Sequence, residues 1–197
     1  MLLDICFGTR TSWKIMLVLA EAPGKGVSKK EIRELTKIGN KVMTKFLGLL
    51  LRNEIILSNK IGKISYYKLN LANQITNQIT STMAQEKKSL NNPDFKATMI
   101  LRELIYEITN IDMKNIKKII LFGSYAKGTH TQNSDIDTAI ITEKQNANEE
   151  IIITDITQKL EKRFKRKIQI HYLTEKEFSE NKRKIATEIK KDGITIL

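Results

Sequence analysis

Three observations predict an α+β fold in two parts. Residues 1–72 read as short helices followed by a β-hairpin, whereas residues 94–197 alternate helical segments with apolar, strand-like runs. Between them, Lys87-Lys-Ser-Leu-Asn-Asn-Pro-Asp94 collects turn-forming residues around a proline and marks the best boundary in the chain. The expected layout is a first domain over 1–72, a linker helix and boundary over 73–93, and a second domain over 94–197.

Composition limits the classes of function. The chain has 197 residues, 41% hydrophobic and 28% charged, which fits a folded soluble protein and not a disordered one. Its net charge of +12 favours a polyanionic partner. That charge is uneven: residues 1–72 hold 13 Lys/Arg against 5 Asp/Glu, residues 73–197 hold 21 against 17. Cys6 is the only cysteine, so an intramolecular disulfide and a cysteine-based zinc cluster are excluded. No apolar stretch approaches the roughly 18–20 residues of a membrane span. The opening Met1–Phe7 also lacks a basic region before a long hydrophobic core. A cytoplasmic protein with no membrane association is expected.

In the first part, Ser12 is the expected cap of a helix over Trp13–Ala22, stopped by Pro23-Gly24. Val27 suits a short strand. Ser28-Lys-Lys-Glu31 has the capping-box pattern and opens a second helix to about Lys37. After the turn Ile38-Gly39-Asn40, a third helix runs from Lys41 to about Asn53, with Val42, Phe46, Leu49 and Leu50 expected to face inward. Ile55–Ser58 and Ile64–Leu69 then form a hairpin whose tip, Asn59–Lys63, is basic.

This order of elements resembles a winged helix-turn-helix domain, in which the third helix enters the DNA major groove and the hairpin wing touches the backbone. The resemblance places Asn40, Lys41, Thr44 and Lys45 at the start of a recognition helix, and Lys60 and Lys63 at the wing tip as phosphate contacts. Double-stranded DNA is the partner implied. Winged helices also serve as protein-docking or dimerisation modules, so both uses stay open.

In the second part, Phe95–Ile108 is expected to be a helix and Ile119–Phe122 a buried strand. Gly123-Ser124 turns the chain, Ser124 caps a short helix, and Gly128 ends it in the left-handed conformation. A polar loop leads to Ser134-Asp135-Ile136-Asp137, whose two carboxylates alternate along a strand and share one face. Amides at a helix start suit phosphate oxygens, and paired carboxylates suit magnesium. Beyond lie a helix over about Asn148–Phe164 with an Ile152, Ile156, Leu160 stripe, and a basic run, Lys162–Lys167, for which the helix dipole and a solvated face suffice, ahead of a hold on phosphate or nucleic acid. A strand over Ile168–Leu173, a helix over Glu175–Lys191 and an edge strand at Ile194–Ile196 complete the chain.

Gly123-Ser124, ten intervening residues and Asp135-x-Asp137 together resemble the signature of the DNA polymerase beta-type nucleotidyltransferases. The wording Phe-Gly-Ser-Tyr-Ala-Lys-Gly is closest to the minimal members of that superfamily. The resemblance implies a mixed sheet flanked by helices, and two divalent ions (Mg2+ or Mn2+) held by Asp135 and Asp137. It also implies a nucleoside triphosphate, ATP by preference, bound at Gly123, Ser124, Lys127 and Ser134, with its monophosphate passing to an acceptor hydroxyl. The family's third carboxylate belongs on the neighbouring strand, where Gln169 stands instead. His171, two residues on, is either a replacement base or a structural histidine. The alternative is a DNA-binding regulator whose transferase domain binds nucleotide with little or no turnover, antitoxin-like, with a homodimer or a small helical toxin as partner.

Overall fold

A computed structural model describes residues 8–111 and 115–197. Cys6 and the opening Met1–Phe7 lie outside the described residues. The chain divides into two compact units between Glu86 and Lys87, within the stretch read as a linker helix.

The first unit contains α1 (Arg10–Ala20), β1 (Val27–Ser28), α2 (Lys29–Thr36) and α3 (Asn40–Arg52). The hairpin β2 (Ile56–Ile61) and β3 (Ile64–Leu69) follows, and α4 (Gln74–Ser89) leads out. Helix α1 begins earlier than expected. Its cap is Thr9, whose hydroxyl accepts from the Ser12 N–H, so Ser12 lies buried in the first turn. The capping box of α2 forms as read, with Ser28 and Glu31 bonded reciprocally. Helix α3 buries Met43, Leu47 and Leu50 and leaves Val42 45% exposed, a correction of the expected inward face. Apolar residues on both sides of this leucine-rich helix allow either stripe, and the i, i+4, i+7 set through Met43 takes the core.

The three strands order as β1-β3-β2, antiparallel throughout. The strands run further than expected, pairing Ile61 with Ile64 across Gly62-Lys63, where Gly62 takes a left-handed φ of 59°. Lys60 therefore pairs with Ser65 along β2 and is not at the tip; Lys63 is.

The second unit contains α5 (Phe95–Thr109), β4 (Ile116–Phe122), α6 (Gly123–Lys127), β5 (Ile136–Thr142) and α7 (Ala147–Phe164). It closes with β6 (Ile168–Thr174), α8 (Glu175–Ser179), α9 (Lys184–Asp192) and β7 (Ile194–Thr195). The sheet order is β6-β5-β4-β7, with β5 and β6 parallel and the other pairs antiparallel, so the sheet is mixed. Strand β5 is buried along nearly its whole length, as a central strand covered on both faces must be. One face packs Ile120, Phe122, Ala139, Ile141 and Leu173 against Ala186 and Ile189 of α9. Two expectations fail here. The stripe of α7 runs through Ile153, Ile156, Thr157 and Leu160, while Ile152 is 40% exposed. The single last helix is broken at 180–183, where Asn181 adopts a left-handed φ of 52° that no helix continues through.

Candidate nucleotide and metal site

The site begins where β4 ends. Gly123 adopts a φ of 68°, and a Cβ built there would sit 2.3 Å from Asp137 Oδ2. Glycine is therefore required twice over, by backbone conformation and by the carboxylate pressed against it. Helix α6 starts without a side-chain cap; Phe122 occupies the cap position, so the expected capping by Ser124 does not occur. Gly128 closes the helix with a φ of 70°, as the sequence predicts.

Asp135 stands immediately before β5 and Asp137 one alternation later, on the same face. Asp137 pairs with Phe122 on one side and Gln169 on the other. Gln169 Nε2 donates to Asp135 Oδ2 at 2.9 Å, so the residue standing for an acid ties down one of the carboxylates. His171 follows on β6, opposite Ala139, with its ring edge-on to Phe122 at 5.3 Å. Burial pushes the Asp137 carboxyl above its ordinary value; neighbouring His171 opposes this, and the Asp135 and Glu188 carboxylates add to it.

The remaining predicted residues lie around this core. The Ser134 hydroxyl accepts from the Thr131 N–H at 2.8 Å and closes the loop that leads to Asp135. Lys127 Nζ donates to Glu188 at 2.7 Å and lies 3.7 Å from Asp192, so α9 already engages it. In the first unit Asn40, Lys41, Thr44 and Lys45 are all exposed over the opening turns of α3, with the Thr44 hydroxyl donating to the Asn40 carbonyl and accepting from Lys29. Lys60 and Lys63 are exposed on the hairpin.

Sequence reasoning missed a buried polar cluster below the site. Arg166, read as part of a solvated basic run, is 9% exposed and donates to Asp94, to the Tyr125 hydroxyl and to the Ser134 carbonyl. Tyr125 is fully buried, donates to Asp94 Oδ2 at 2.7 Å and stacks on His130 with centroids 4.2 Å apart. Burial, then the neighbouring Asp94 carboxylate, pushes the Tyr125 hydroxyl up to about 12. The one signal in the sequence was an aromatic residue inside a glycine-bounded turn, Gly-Ser-Tyr-Ala-Lys-Gly.

Residues 103–197 match the family described as Polymerase beta, Nucleotidyltransferase. That match lies within the second unit. A curated protein of Methanocaldococcus jannaschii, provisionally named a protein adenylyltransferase, is 46% identical over 41 residues. That stretch is 21% of this chain and 41% of the relative, so the match spans less than half of the curated protein's length. A crystal structure of a toxin–antitoxin with AMP-PNP is 22% identical, covering 48% of this chain and 70% of that one with a TM-score of 0.37. A structure of a provisionally named nucleotidyltransferase from Sulfolobus solfataricus is 21% identical, covering 49% and 75% with a TM-score of 0.31.

Proposed function

We propose that the nucleotidyltransferase domain transfers a nucleoside monophosphate from a triphosphate to an acceptor hydroxyl, releasing pyrophosphate. The observation that carries this reading is the seating of Asp137 against the Gly123 turn, with Asp135 on the same strand face. The donor set fits a divalent cation: two hard carboxylates share one strand face, burial disfavours the charge on one of them, and a third carboxylate, Glu188, adds to the negative field. Among the described residues no group of three ligating side chains gathers, so triphosphate and water oxygens would complete the shell. When bound, the metal neutralises phosphate charge and steadies attacking and leaving oxygens.

The chain's own residues do the rest. Gly123 and Ser124 are the residues that would receive the β- and γ-phosphates, and the absence of a side chain at 123 leaves room for the Asp137 carboxylate beside them. Gln169 orients Asp135 but has no proton to exchange, so it cannot act as a base. His171, two residues further along β6, is the side chain we assign to that role. ATP and a protein hydroxyl are the first substrates to try, in keeping with the name of the Methanocaldococcus jannaschii relative. Incubation with labelled ATP, Mg2+ and candidate protein or RNA acceptors should yield a labelled adduct and pyrophosphate with the natural chain and neither with Asp135→Ala. Equal output from the two proteins overturns the reading.

A second role is supported by the first unit. Its helices, the pairing of β1 on β3 and the exposed hairpin follow the winged helix-turn-helix order, with Asn40, Lys41, Thr44 and Lys45 exposed on the third helix. We read this unit as a binder of double-stranded DNA, with Lys63 at the hairpin turn as a phosphate contact and Lys60 further along the strand. Should the domain bind nucleotide without turnover, the chain is a DNA-binding regulator instead. Nucleotide binding with no adduct on any acceptor, together with a gel shift, identifies that case.

A further inference from the structure

We propose that Arg166 is a positioning residue that sets Asp135 for metal and nucleotide binding; this deepens the nucleotidyl-transfer reading and rests on it. A guanidinium 9% exposed is costly unless each of its faces finds a partner. Arg166 finds three, and each belongs to a different part of the site. Its NH1 donates to Asp94 Oδ2 at 3.2 Å, to the Tyr125 hydroxyl, and to the Ser134 carbonyl at 3.3 Å. Asp94 is itself fixed, because its other oxygen caps α5 by accepting from the Ala97 N–H at 3.0 Å. Tyr125 lies in α6, two residues after Gly123, and Ser134 is the residue before Asp135.

The next residues extend the same hold. The Lys167 carbonyl accepts from the Ile136 N–H at 3.0 Å, and Gln169 donates to the Asp135 carboxylate. The segment 166–169 thus grips Asp135 through the carbonyl before it, the amide after it and its own side chain. Arg166 alone also reaches the helix that follows the glycine turn. One side chain therefore fixes the spacing between the turn that would receive phosphate and the acid that would receive metal. Arginine suits this because its guanidinium is planar and always charged, which holds NH1 in one orientation, whereas a lysine ammonium is a single point on a flexible stem.

The test is Mn2+ binding by the full chain, followed by electron paramagnetic resonance, in wild type, Asp135→Asn, Arg166→Ala, Arg166→Lys and Tyr125→Phe. Melting of each variant is measured in parallel, and titrations are run well below every melting temperature. Residues that orient ligands from behind typically contribute about 10–100-fold in metal affinity. Arg166→Ala should therefore bind Mn2+ at least about tenfold more weakly. Arg166→Lys should recover part of the loss, and Tyr125→Phe should show a smaller one. Wild-type Mn2+ affinity in a folded Arg166→Ala overturns the positioning role while leaving the metal site intact. If Arg166→Ala does not fold, unchanged affinity in both Arg166→Lys and Tyr125→Phe overturns it equally. Equal Mn2+ binding by wild type and Asp135→Asn overturns the underlying site, and the positioning role with it.

Discussion

At position 123 any side chain would have to occupy the space held by Asp137 Oδ2, and the backbone there has already turned to a φ of 68°. Gly123→Ala should therefore suffer twice. The left-handed conformation costs a non-glycine residue about 1–2 kcal/mol, and relief of the clash must move the carboxylate or open the turn. A lower melting temperature with loss of Mn2+ binding is expected, while Gly24→Ala, with open space around its Cβ, should lower the melting temperature alone. Asp94 offers a second test at this scale. Burial pushes its carboxyl up, but the Ala97 N–H, the Tyr125 hydroxyl and Arg166 outweigh that and hold it below its ordinary value. A carboxyl lowered in the fold adds stability that is present above its unfolded pKa of about 3.9 and is lost as pH falls through the folded value. Asp94→Asn should thus be less stable than wild type at pH 7, with the difference shrinking in urea titrations carried into the acid range below about pH 4. What was legible here depended on local geometry. The Gly123-Ser124 and Asp135-x-Asp137 spacing is read directly, because alternation on a strand fixes which side chains share a face. Arg166 was not legible, because it sits one residue past Lys165, whose left-handed φ of 53° redirects the chain after α7. A basic run in a sequence carries no sign of which member turns inward.

Among the elements, α3 separates pattern from packing most clearly. Its sequence holds two apolar stripes, one through Val42, Phe46, Leu49 and Leu50, the other through Met43, Leu47 and Leu50. Period alone does not choose between them, and the neighbouring helix and hairpin do. Burial of Met43 and exposure of Val42 predict opposite costs for the same truncation. Met43→Ala leaves a cavity and should lose about 2–5 kcal/mol of unfolding free energy. Val42→Ala should stay within about 0.5 kcal/mol of wild type, as substitutions away from the core do. Chemical denaturation of the two variants decides the matter, and the reverse order would restore the stripe first expected. The capping box of α2 was legible because it is a local exchange of two hydrogen bonds. The stripe of α7 and the break between α8 and α9 were not, since they depend on which surface the sheet presents.

Across the whole molecule the charge is divided, with a net of +8 over residues 1–72 and +4 over 73–197. If the first unit binds duplex DNA through α3 and the hairpin, affinity must fall with salt, because each phosphate neutralised releases condensed counterions. The logarithm of the binding constant then declines with the logarithm of salt concentration by about 0.9 for each contact. Lys41, Lys45 and Lys63 are exposed where the reading puts those contacts. Replacing one of them by alanine should lower the slope by about 1 and weaken binding evenly across DNA sequences, since phosphate carries no sequence information. Asn40→Ala should behave differently: a side chain that reads a base edge changes sequence preference and leaves the slope nearly as it was. Asp135→Asn should change neither, because Asp135 lies in the second unit and not on α3 or the hairpin. Gel-shift titrations of wild type and the five variants at two or more salt concentrations separate these effects. An unchanged slope in Lys41→Ala, Lys45→Ala and Lys63→Ala alike would move DNA contact away from α3 and the hairpin. Absence of any shift at low salt would leave the first unit as a protein-docking module, since phosphate contacts are strongest under that condition.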